Sequence, residues 1–438
     1  MKNKFGLNTA IAIVVANMIG TGIFTSLGFQ VISLKSGFAL LLLWFIGGIA
    51  ALTGALAYAE LGTSMPRSGG EYHFLSRIYH PSLGFAAGWI SFIIGFAAPT
   101  AAAAIALGSY FTAALNIDVT ILGLNLTRII AVAVIILITA LHSYNKTAGA
   151  YFQNFFTALK IITLLGLIIL GLLSSHNQPL SFSVNRDALL EIISPAFAIS
   201  LFFVSYSYSG WNAAAYIAGE LNNPDKNIPR SLITGTLIVT VLYIFTTYVF
   251  LKVIPIEAMT GKIEIGYIFG NQIFGEKTSV IMGLLFSMLL LSTVSSMIIT
   301  GPRVTQVMGE DYSILRWFAR LSGREIPVRA ILTQAAISII YVLTSTFEQV
   351  ITIIGFTLNL FTLLAVIGMM LNRRRGGPVG MYRTKLYPVI PIIFIVINIW
   401  ILVYGMIYRP VESLTGIGTS LVGLIFYFID KKHNTGKV

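Results

Sequence analysis

Residues 11–24 read Ile-Ala-Ile-Val-Val-Ala-Asn-Met-Ile-Gly-Thr-Gly-Ile-Phe, an apolar run with two glycines around a threonine near its end. A glycine costs about 1 kcal/mol in the interior of a helix. Gly20 and Gly22 therefore predict an interruption in a helix that their neighbours favour. Taken alone, this stretch is equally consistent with close packing of small residues between membrane helices.

A second interruption lies in the other half of the chain. Residues 203–212 read Phe-Val-Ser-Tyr-Ser-Tyr-Ser-Gly-Trp-Asn, which places five hydroxyl residues and a glycine in an apolar run. One interruption in each half predicts a pair of discontinuous helices. Inverted-repeat transporters use such pairs to build a binding site near the bilayer midplane.

A broken helix offers free carbonyls from its first half and free amides, with the positive end of the helix dipole, from its second half. An α-amino acid has one charge to match each of them, so no charged side chain is required. The amides expected to bind a carboxylate are those near Thr21, Gly22 and Ile23. The carbonyls expected to bind an ammonium group are those near Ala16, Ile19, Ser205, Tyr206 and Ser207.

Composition places the chain in a membrane. Of its 438 residues, 56% are hydrophobic and 10% are charged, whereas soluble domains carry about 25% charged residues. A membrane helix needs roughly 20 apolar residues, and apolar runs between polar breaks predict an all-α protein of about twelve transmembrane helices. The predicted spans are 7–33, 38–62, 83–115, 128–143, 147–174, 194–219, 230–255, 277–300, 327–345, 347–372, 386–407 and 411–429.

Basic residues predict the orientation. Of the 28 Lys and Arg residues, 20 fall on the side of the two termini and seven on the other side, with Lys160 inside a span. The positive-inside rule then makes both termini cytoplasmic, and it accounts for the basic excess without a nucleic-acid partner. The chain has no Cys, which excludes thiolate metal sites and a disulfide-linked partner subunit. The five His residues show no metal-binding spacing, and no cofactor is expected.

Several motifs, taken together in order, are similar to those of a known family. Their joint spacing resembles the amino acid–polyamine–organocation (APC) superfamily of permeases, especially bacterial relatives of the L-type amino-acid transporters. The resemblance covers almost the whole chain. The motifs are Ile19-Gly-Thr-Gly-Ile-Phe24, Ala57-Tyr-Ala-Glu-Leu-Gly62, Pro66-Arg-Ser-Gly-Gly-Glu-Tyr72, Tyr208-Ser-Gly-Trp-Asn212, Gly219-Glu-Leu-Asn-Asn-Pro224, Gly301-Pro-Arg303 and Leu386-Tyr-Pro-Val-Ile-Pro391.

The resemblance implies a LeuT-type fold of two inverted five-helix repeats in the cell membrane, which in a bacterium is the inner membrane. Residues 1–174 would form the first repeat, 175–372 the second, and 373–438 the last two helices with a cytoplasmic tail. It also implies that the substrate, a small amino acid, binds between spans 1, 3, 6, 8 and 10.

Individual positions can be carried over from the family. Gly20, Thr21 and Gly22 match its carboxylate-binding turn, and Tyr206 falls where relatives often place an aromatic gate, commonly Phe. Met297 and Asn359 align with pocket-lining positions. Hydrogen bonding between helices is the alternative role for Tyr206, and packing is the alternative for Met297 and Asn359. Glu60 and Glu71 lie at or beyond span ends, which predicts a role at the cytoplasmic gate.

Lys160 is the one charged residue predicted deep inside a span. An intramembrane charge costs at least about 2.5–3.5 kcal/mol, and the position of Lys160 midway along span 5 leaves its ammonium little chance to reach the interface. The resemblance implies that it replaces a cation site of sodium-driven cousins and faces Thr293. We expect the ammonium to tie carbonyls near Met18 and Ile19 to Thr293. Transport should then be sodium-independent, with exchange and proton coupling both open.

These residues predict a secondary transporter of neutral L-amino acids that works by alternating access. The pocket-lining parts of the five spans contain no carboxylate, and Ser209 stands where some relatives carry Asp, so a cationic substrate would lack a counter-ion. A cationic amino-acid or polyamine permease and a non-transporting sensor are the alternatives. An enzyme is not expected, because it would need a nucleophile, base or metal cluster, and no intramembrane His, Cys or paired carboxylate is present.

Overall fold

A computed structural model describes residues 5–121, 123–144 and 146–435, with side chains at all of these except 146–154, 277 and 433–435. Three of the basic residues used to predict orientation, Lys2, Lys4 and Lys437, lie outside the described residues. The side chains of Lys146, Lys277 and His433 lie outside them as well.

The first half of the described chain is helical apart from one short hairpin and its connecting loops. Its elements are α1 (Leu7–Met18), α2 (Gly22–Thr25), α3 (Leu27–Gln30), α4 (Gly37–Ser64), α5 (Glu71–Ile78), α6 (Pro81–Ile90), a π-helical segment (Ser91–Gly95), α7 (Ala97–Leu115), β1 (Thr120–Ile121), β2 (Leu124–Asn125), α8 (Leu126–Tyr144) and α9 (Lys146–Leu173). The two strands pair antiparallel, with Thr120 opposite Asn125 and Ile121 opposite Leu124.

The second half is helical in the same way. Its elements are α10 (Arg186–Ile192), α11 (Pro195–Tyr208), α12 (Ala213–Tyr216), a 3₁₀ turn (Ala218–Glu220), α13 (Pro224–Val253), α14 (Ile256–Met259), α15 (Ile265–Phe274), α16 (Glu276–Asp311), a 3₁₀ segment (Ser313–Ala319), α17 (Val328–Thr344), α18 (Phe347–Arg374), α19 (Val389–Tyr408) and α20 (Pro410–Thr435).

Length and composition allow most of the predicted spans to cross a membrane. Among the described residues, ten helices are long and apolar enough, or up to eleven if the bent pair α10 and α11 counts as one span. The helix α17 is apolar but shorter. The chain is therefore a multi-pass helical membrane protein. Several helices carry apolar side chains on their exposed faces, including Leu137 on α8, Ile162 on α9 and Ile407 on α19, as expected where lipid is the solvent.

Local sequence sets where several helices begin. The side chains of Ser36 and Ser194 accept hydrogen bonds from the backbone amides of Ala39 and Phe197, both at 3.3 Å, at the starts of α4 and α11. Thr346 and Gln349 form a reciprocal capping box at the start of α18. These side chains satisfy amides that the first turn of a helix leaves free.

The two broken helices cross in opposite directions. The first half of one, α1, packs against the second half of the other, α12, and α2 packs against α11. Such a pattern requires the two broken helices to run antiparallel where they meet. The helix α13 packs along α1, α2 and α12, so it contacts parts of both broken helices.

Both ends of the described chain lie at one end of the bundle, called the terminal side below. A series of contacts links the N-terminal segment to the end of α20. They are the Phe5 amide to the Glu220 carbonyl (2.9 Å), the Gly219 amide to Ser68 (3.3 Å), Arg67 to Asp311 (3.2 Å) and the Ser313 hydroxyl to Asp430 (2.6 Å).

Candidate functional site

The break in the first helix lies where the glycines predict it. The helix α1 ends at Met18, and the Gly20 amide turns back to the Met18 carbonyl at 2.8 Å. The next three amides, those of Thr21, Gly22 and Ile23, donate to no acceptor among the described residues. They lead into α2 and therefore carry the partial positive charge of a helix start.

The two glycines of this turn meet different surroundings. A Cβ added at Gly22 would overlap the side chain of Ser207 and lie 2.5 Å from its Cα, whereas a Cβ at Gly20 would meet only ordinary contacts, the nearest at 3.7 Å from Thr293. Close approach of the two broken helices therefore depends on Gly22.

The second break lies within the predicted stretch, residues 203–212. The helix α11 continues to Tyr208, so Ser205 to Ser207 belong to its last turn, where the carbonyls lack the amide four residues on that an α-helix would supply. The Tyr206 carbonyl accepts from the Ser209 amide at 3.0 Å, and the Ser207 carbonyl accepts from the Tyr243 hydroxyl at 3.1 Å. Hydroxyl residues remain helical here because their side chains bond within the helix or to its neighbours.

The chain turns at Ser209–Asn212. Gly210 has φ +101°, and a Cβ there would lie 2.8 Å from the backbone carbon of Asn17 in α1. Only glycine accepts both this dihedral and this approach. Gly210 is the glycine of the interruption predicted within residues 203–212.

Lys160 lies at the junction of three elements. Its ammonium donates to the Ile19 carbonyl at 3.1 Å and to Thr293 Oγ1 at 2.7 Å, and the residue is 1% exposed. These are contacts that the sequence led us to expect, except at Met18, whose carbonyl accepts from the Tyr243 hydroxyl at 2.6 Å. The end of α1 carries a partial negative charge that favours an ammonium.

Tyr243 of α13 is a site residue that sequence reasoning missed. Its hydroxyl lies within hydrogen-bonding distance of carbonyls from both broken helices, those of Met18 and Ser207. A single tyrosine in an apolar span gives no signal that could have identified it.

A cavity of about 510 Å³ lies beside the two breaks. Of the predicted site residues, Ala16, Ser205, Tyr206, Met297 and Asn359 line it. Further lining residues, which the sequence did not single out, include Asn17, Ser91, Gly95, Ser296 and Trp211. The π-helical segment contributes Ser91 and Gly95, and such segments are frequent at functional sites.

The other predicted site residues do not line this cavity. They are Ile19, Gly20, Thr21, Gly22, Ile23, Ser207, Lys160 and Thr293. A hydrogen bond between the Tyr206 hydroxyl and the Thr21 hydroxyl closes the space between the cavity and the break. Asn359 brings an unused donor to the wall, since its side-chain nitrogen is buried without a partner among the described residues.

The cavity reaches the terminal side. Phe5, Tyr216, Glu220 and Arg303 all line it, and the contacts of Phe5 and Glu220 define that side. Glu71 lines it too, but its carboxylate is occupied. One oxygen accepts from Tyr58 at 2.6 Å and from Asn212 at 2.8 Å, and the other accepts from Tyr216.

Packing closes the opposite end. Phe29 of α3 stacks on Phe203 and Phe347, with ring centroids 5.4 and 5.7 Å apart. The Tyr110 hydroxyl donates to the Phe24 carbonyl at 2.8 Å, and the Gly261 amide donates to the Gly28 carbonyl at 2.9 Å. The cavity is thus open at one end only.

Further ionisable groups lie on the terminal side but do not line the cavity. Glu60 of α4 forms a salt bridge with Arg373 of α18 and accepts from the Thr384 amide at 2.8 Å. His73 of α5 is buried, and burial together with the charges of Arg67 and Arg77 lowers its pKa to about 4.

One buried histidine lies at a helix end inside the bundle. His142, near the end of α8, bonds Ser295 of α16 at 2.8 Å. Among the described residues, no group of three or more His, Asp or Glu side chains could hold a metal ion.

An apolar helical bundle with two interrupted helices that cross beside a cavity open at one end is an architecture that membrane transporters use. The chain belongs to the amino acid permease family, within the APC superfamily, because the family model matches residues 5–429. The members of this family are transporters and not enzymes, and the chain is accordingly an amino-acid transporter.

Curated relatives match along nearly the whole chain. The human b(0,+)-type amino acid transporter 1 is 28% identical over 436 residues, which cover 98% of this chain and 88% of the relative. The serine/threonine exchanger SteT of Bacillus subtilis is 27% identical over 438 residues, 99% of this chain and 98% of the relative. The mouse large neutral amino acids transporter small subunit 2 is 25% identical over 433 residues, which cover 98% of this chain and 81% of the relative.

Proposed function

We propose that this chain is a sodium-independent secondary transporter of neutral L-amino acids that works by alternating access. The observation that carries the proposal is the ammonium of Lys160 between the Ile19 carbonyl and Thr293. It joins the first broken helix to α9 and α16 through the hydrogen bonds of one side chain.

Electrostatics argues against a sodium ion at this position. Two unit positive charges about 4 Å apart repel by about 4 kcal/mol at an effective dielectric constant of 20. Among the described residues, no carboxylate lies within ion-pair distance of Lys160 to offset a second cation. The ammonium supplies the positive charge of a coordinated ion, and its hydrogen bonds to oxygen take the place of the ion's coordination by oxygen.

The cavity favours a neutral substrate. A cationic side chain would need a free carboxylate near it, and the deeper of the lining carboxylates, Glu71, already accepts three hydrogen bonds. The unused amide donor of Asn359 suits a neutral polar group. The names of two relatives, a serine/threonine exchanger and a large neutral amino acids transporter, point to the same class.

In this proposal the substrate carboxylate binds the amides of Thr21, Gly22 and Ile23. The substrate ammonium binds carbonyls at the end of α1, where Ala16 lines the cavity. Tyr206 must swing away from Thr21 before the carboxylate can reach the amides. In the conformation described here the carboxylate site is therefore covered.

The crossing of the broken helices supports alternating access. The open end faces the cytoplasm if the basic residues place both termini there. Opening the other end requires separation of the Phe29 stack from Phe203 and Phe347, while α1 and α12 close the terminal side. The antiparallel crossing supports the assignment of residues 1–174 and 175–372 as inverted repeats, with 373–438 appended.

The name of the Bacillus relative favours exchange over proton symport. In an exchanger the Lys160 ammonium keeps its proton throughout the cycle, whereas a symporter would require it to lose that proton in one conformation. We propose a cell-membrane location and function without a disulfide-linked subunit, since the chain has no Cys.

The test is uptake into proteoliposomes that contain the purified full chain. Radiolabelled serine, threonine, alanine, leucine, arginine and putrescine are compared with and without sodium, with and without internal amino acid, and across a pH gradient. Sodium-independent uptake of neutral amino acids that needs internal substrate supports the proposal. A sodium requirement or a preference for arginine or putrescine contradicts it. Ligand binding with no uptake in any arm would identify a sensor.

A further inference from the structure

A second cavity, separate from the transport site, lies between α18 and α19. It measures about 590 Å³ and opens outward from the bundle. It is on the terminal side, because the Arg373 guanidinium that lines it pairs with Glu60 at the end of α4. Neither the transport mechanism nor the family resemblance assigns it a role.

The walls of this cavity divide into two parts. Four apolar side chains from the last turns of α18 and the second turn of α19 line one part, namely Ile367, Met370, Leu371 and Ile395. Arg373, Arg374 and Tyr387 line the other part. The exposed outer face of α19 continues from the apolar part with Ile392 and Val396, so the apolar part adjoins the face that lipid covers.

The two arginines differ in their partners. Arg373 is held by Glu60 and lies over the Tyr387 ring, 4.1 Å from its centroid. Arg374 is exposed and makes no hydrogen bond or ion pair with any described residue. A guanidinium with five donors therefore borders an apolar recess and has no acceptor there.

The surrounding charge has one sign. Residues 373–385 read Arg-Arg-Arg-Gly-Gly-Pro-Val-Gly-Met-Tyr-Arg-Thr-Lys, five basic residues and no acidic one. Glu60 neutralises only Arg373. A zwitterionic headgroup would add no net charge to this surface, whereas an anionic one complements it.

We propose that the cavity binds one anionic phospholipid, with its phosphate on Arg374 and an acyl chain along Ile367, Met370 and Ile395. Planar guanidinium groups bind phosphate oxygens in pairs, and the ring of Tyr387 suits the level of the headgroups. Basic recesses between membrane helices bind anionic headgroups in this way.

The test uses the purified full chain in detergent micelles and native mass spectrometry. Dioleoyl phosphatidylglycerol is titrated against dioleoyl phosphatidylcholine, and glycerol phosphate is added in a third arm as a soluble source of phosphate. We expect the wild type to prefer phosphatidylglycerol over phosphatidylcholine by about fivefold. This factor corresponds to the attraction of about one basic residue to an anionic membrane surface. Glycerol phosphate should not compete.

Two matched pairs of variants separate the cavity from general surface charge. Arg374→Gln should abolish the preference, whereas Arg383→Gln removes the same charge from the same segment outside this cavity and should retain it. Ile395→Trp fills the apolar part and should also abolish the preference, whereas Ile392→Trp places the same side chain on the lipid-facing surface of α19 and should retain it.

The proposal is overturned if the wild type binds the two lipids equally, or if glycerol phosphate competes with the lipid. It is also overturned if Arg374→Gln and Arg383→Gln lose the lipid preference to the same extent, or if Ile395→Trp keeps it. If Arg374→Gln does not fold, the Ile395→Trp and Ile392→Trp pair decides the question alone.

Discussion

Gly22→Ala, compared with Gly20→Ala, tests the packing of the two broken helices with a single methyl group. At Gly22 the new Cβ would lie 2.5 Å from Ser207 Cα, and relaxed carbon contacts are about 3.5–4.0 Å. The helix α11 must therefore retreat by about 1 Å. Overpacking of this kind costs about 1–3 kcal/mol.

The retreat of α11 also affects polar contacts. The Ser207 hydroxyl lies 3.1 Å from the Ser26 hydroxyl, and the Ser207 carbonyl accepts from Tyr243 at 3.1 Å. A typical hydrogen bond contributes about 1 kcal/mol. The overpacking cost and the weakened hydrogen bond add, so Gly22→Ala should destabilise the protein by about 2–4 kcal/mol. It should also abolish amino-acid binding at the adjacent amides.

The control is Gly20→Ala, whose Cβ meets its nearest neighbour at 3.7 Å. It should cost less than about 1 kcal/mol, the scale of a surface substitution. The assay is the apparent midpoint of thermal unfolding in detergent, followed by tryptophan fluorescence, with binding of radiolabelled serine measured on the same samples. Equal midpoints and equal binding in the two variants would refute the packing argument.

Three further predictions concern single side chains. Lys160→Met removes the ammonium and its two hydrogen bonds. Because a hydrogen bond to a charged group contributes about 1.5–3 kcal/mol, uptake into proteoliposomes should fall at least about tenfold. Uptake at the wild-type rate would contradict the proposed role. Tyr206→Phe breaks the bond to Thr21 that covers the carboxylate site and should tighten substrate binding by about fivefold, whereas weaker binding would show that the hydroxyl itself serves the substrate. His73 must stay neutral in the folded protein, because burial lowers its pKa to about 4 from an unfolded value near 6.5. The free energy of unfolding is therefore unaffected by His73 above pH 6.5. It falls as the pH drops from 6.5 toward 4, by about 2 kcal/mol at pH 5, because the unfolded protein binds a proton there that folded His73 does not. His73→Asn should lower the acid sensitivity of the unfolding midpoint between pH 7.5 and pH 5, and the exposed His176→Gln should not.

The sequence determined the class of protein and the position of the first break. Apolar runs of membrane-spanning length, separated by polar loops, have one stable environment, because an unbroken helix in lipid satisfies its own backbone groups. The Gly20-Thr21-Gly22 turn is encoded locally in the same way. The depth of Lys160 could also be read from its place in span 5, and its neighbours on α1 and α16 were expected from the family resemblance.

The second break shows what a local pattern leaves undetermined. The stretch 203–212 predicts an interruption but not where in the stretch it falls: residues 205–208 remain helical in α11, and the turn comes at Gly210, where the backbone of Asn17 approaches. A serine or tyrosine can bond within a helix or interrupt it, and the neighbouring chain decides which. Tyr243 reaches both breaks for a similar long-range reason.

Only the tertiary structure decided which end of the cavity is open and which predicted residues line it. Ala16, Tyr206 and Asn359 reach the cavity, whereas the amides of the first break lie behind the contact between Tyr206 and Thr21. These relations join residues almost 200 positions apart in the sequence. The helices persist in any conformation of a transporter because their hydrogen bonds are local, but the contacts between helices exchange during its cycle, so no local pattern in the chain specifies them.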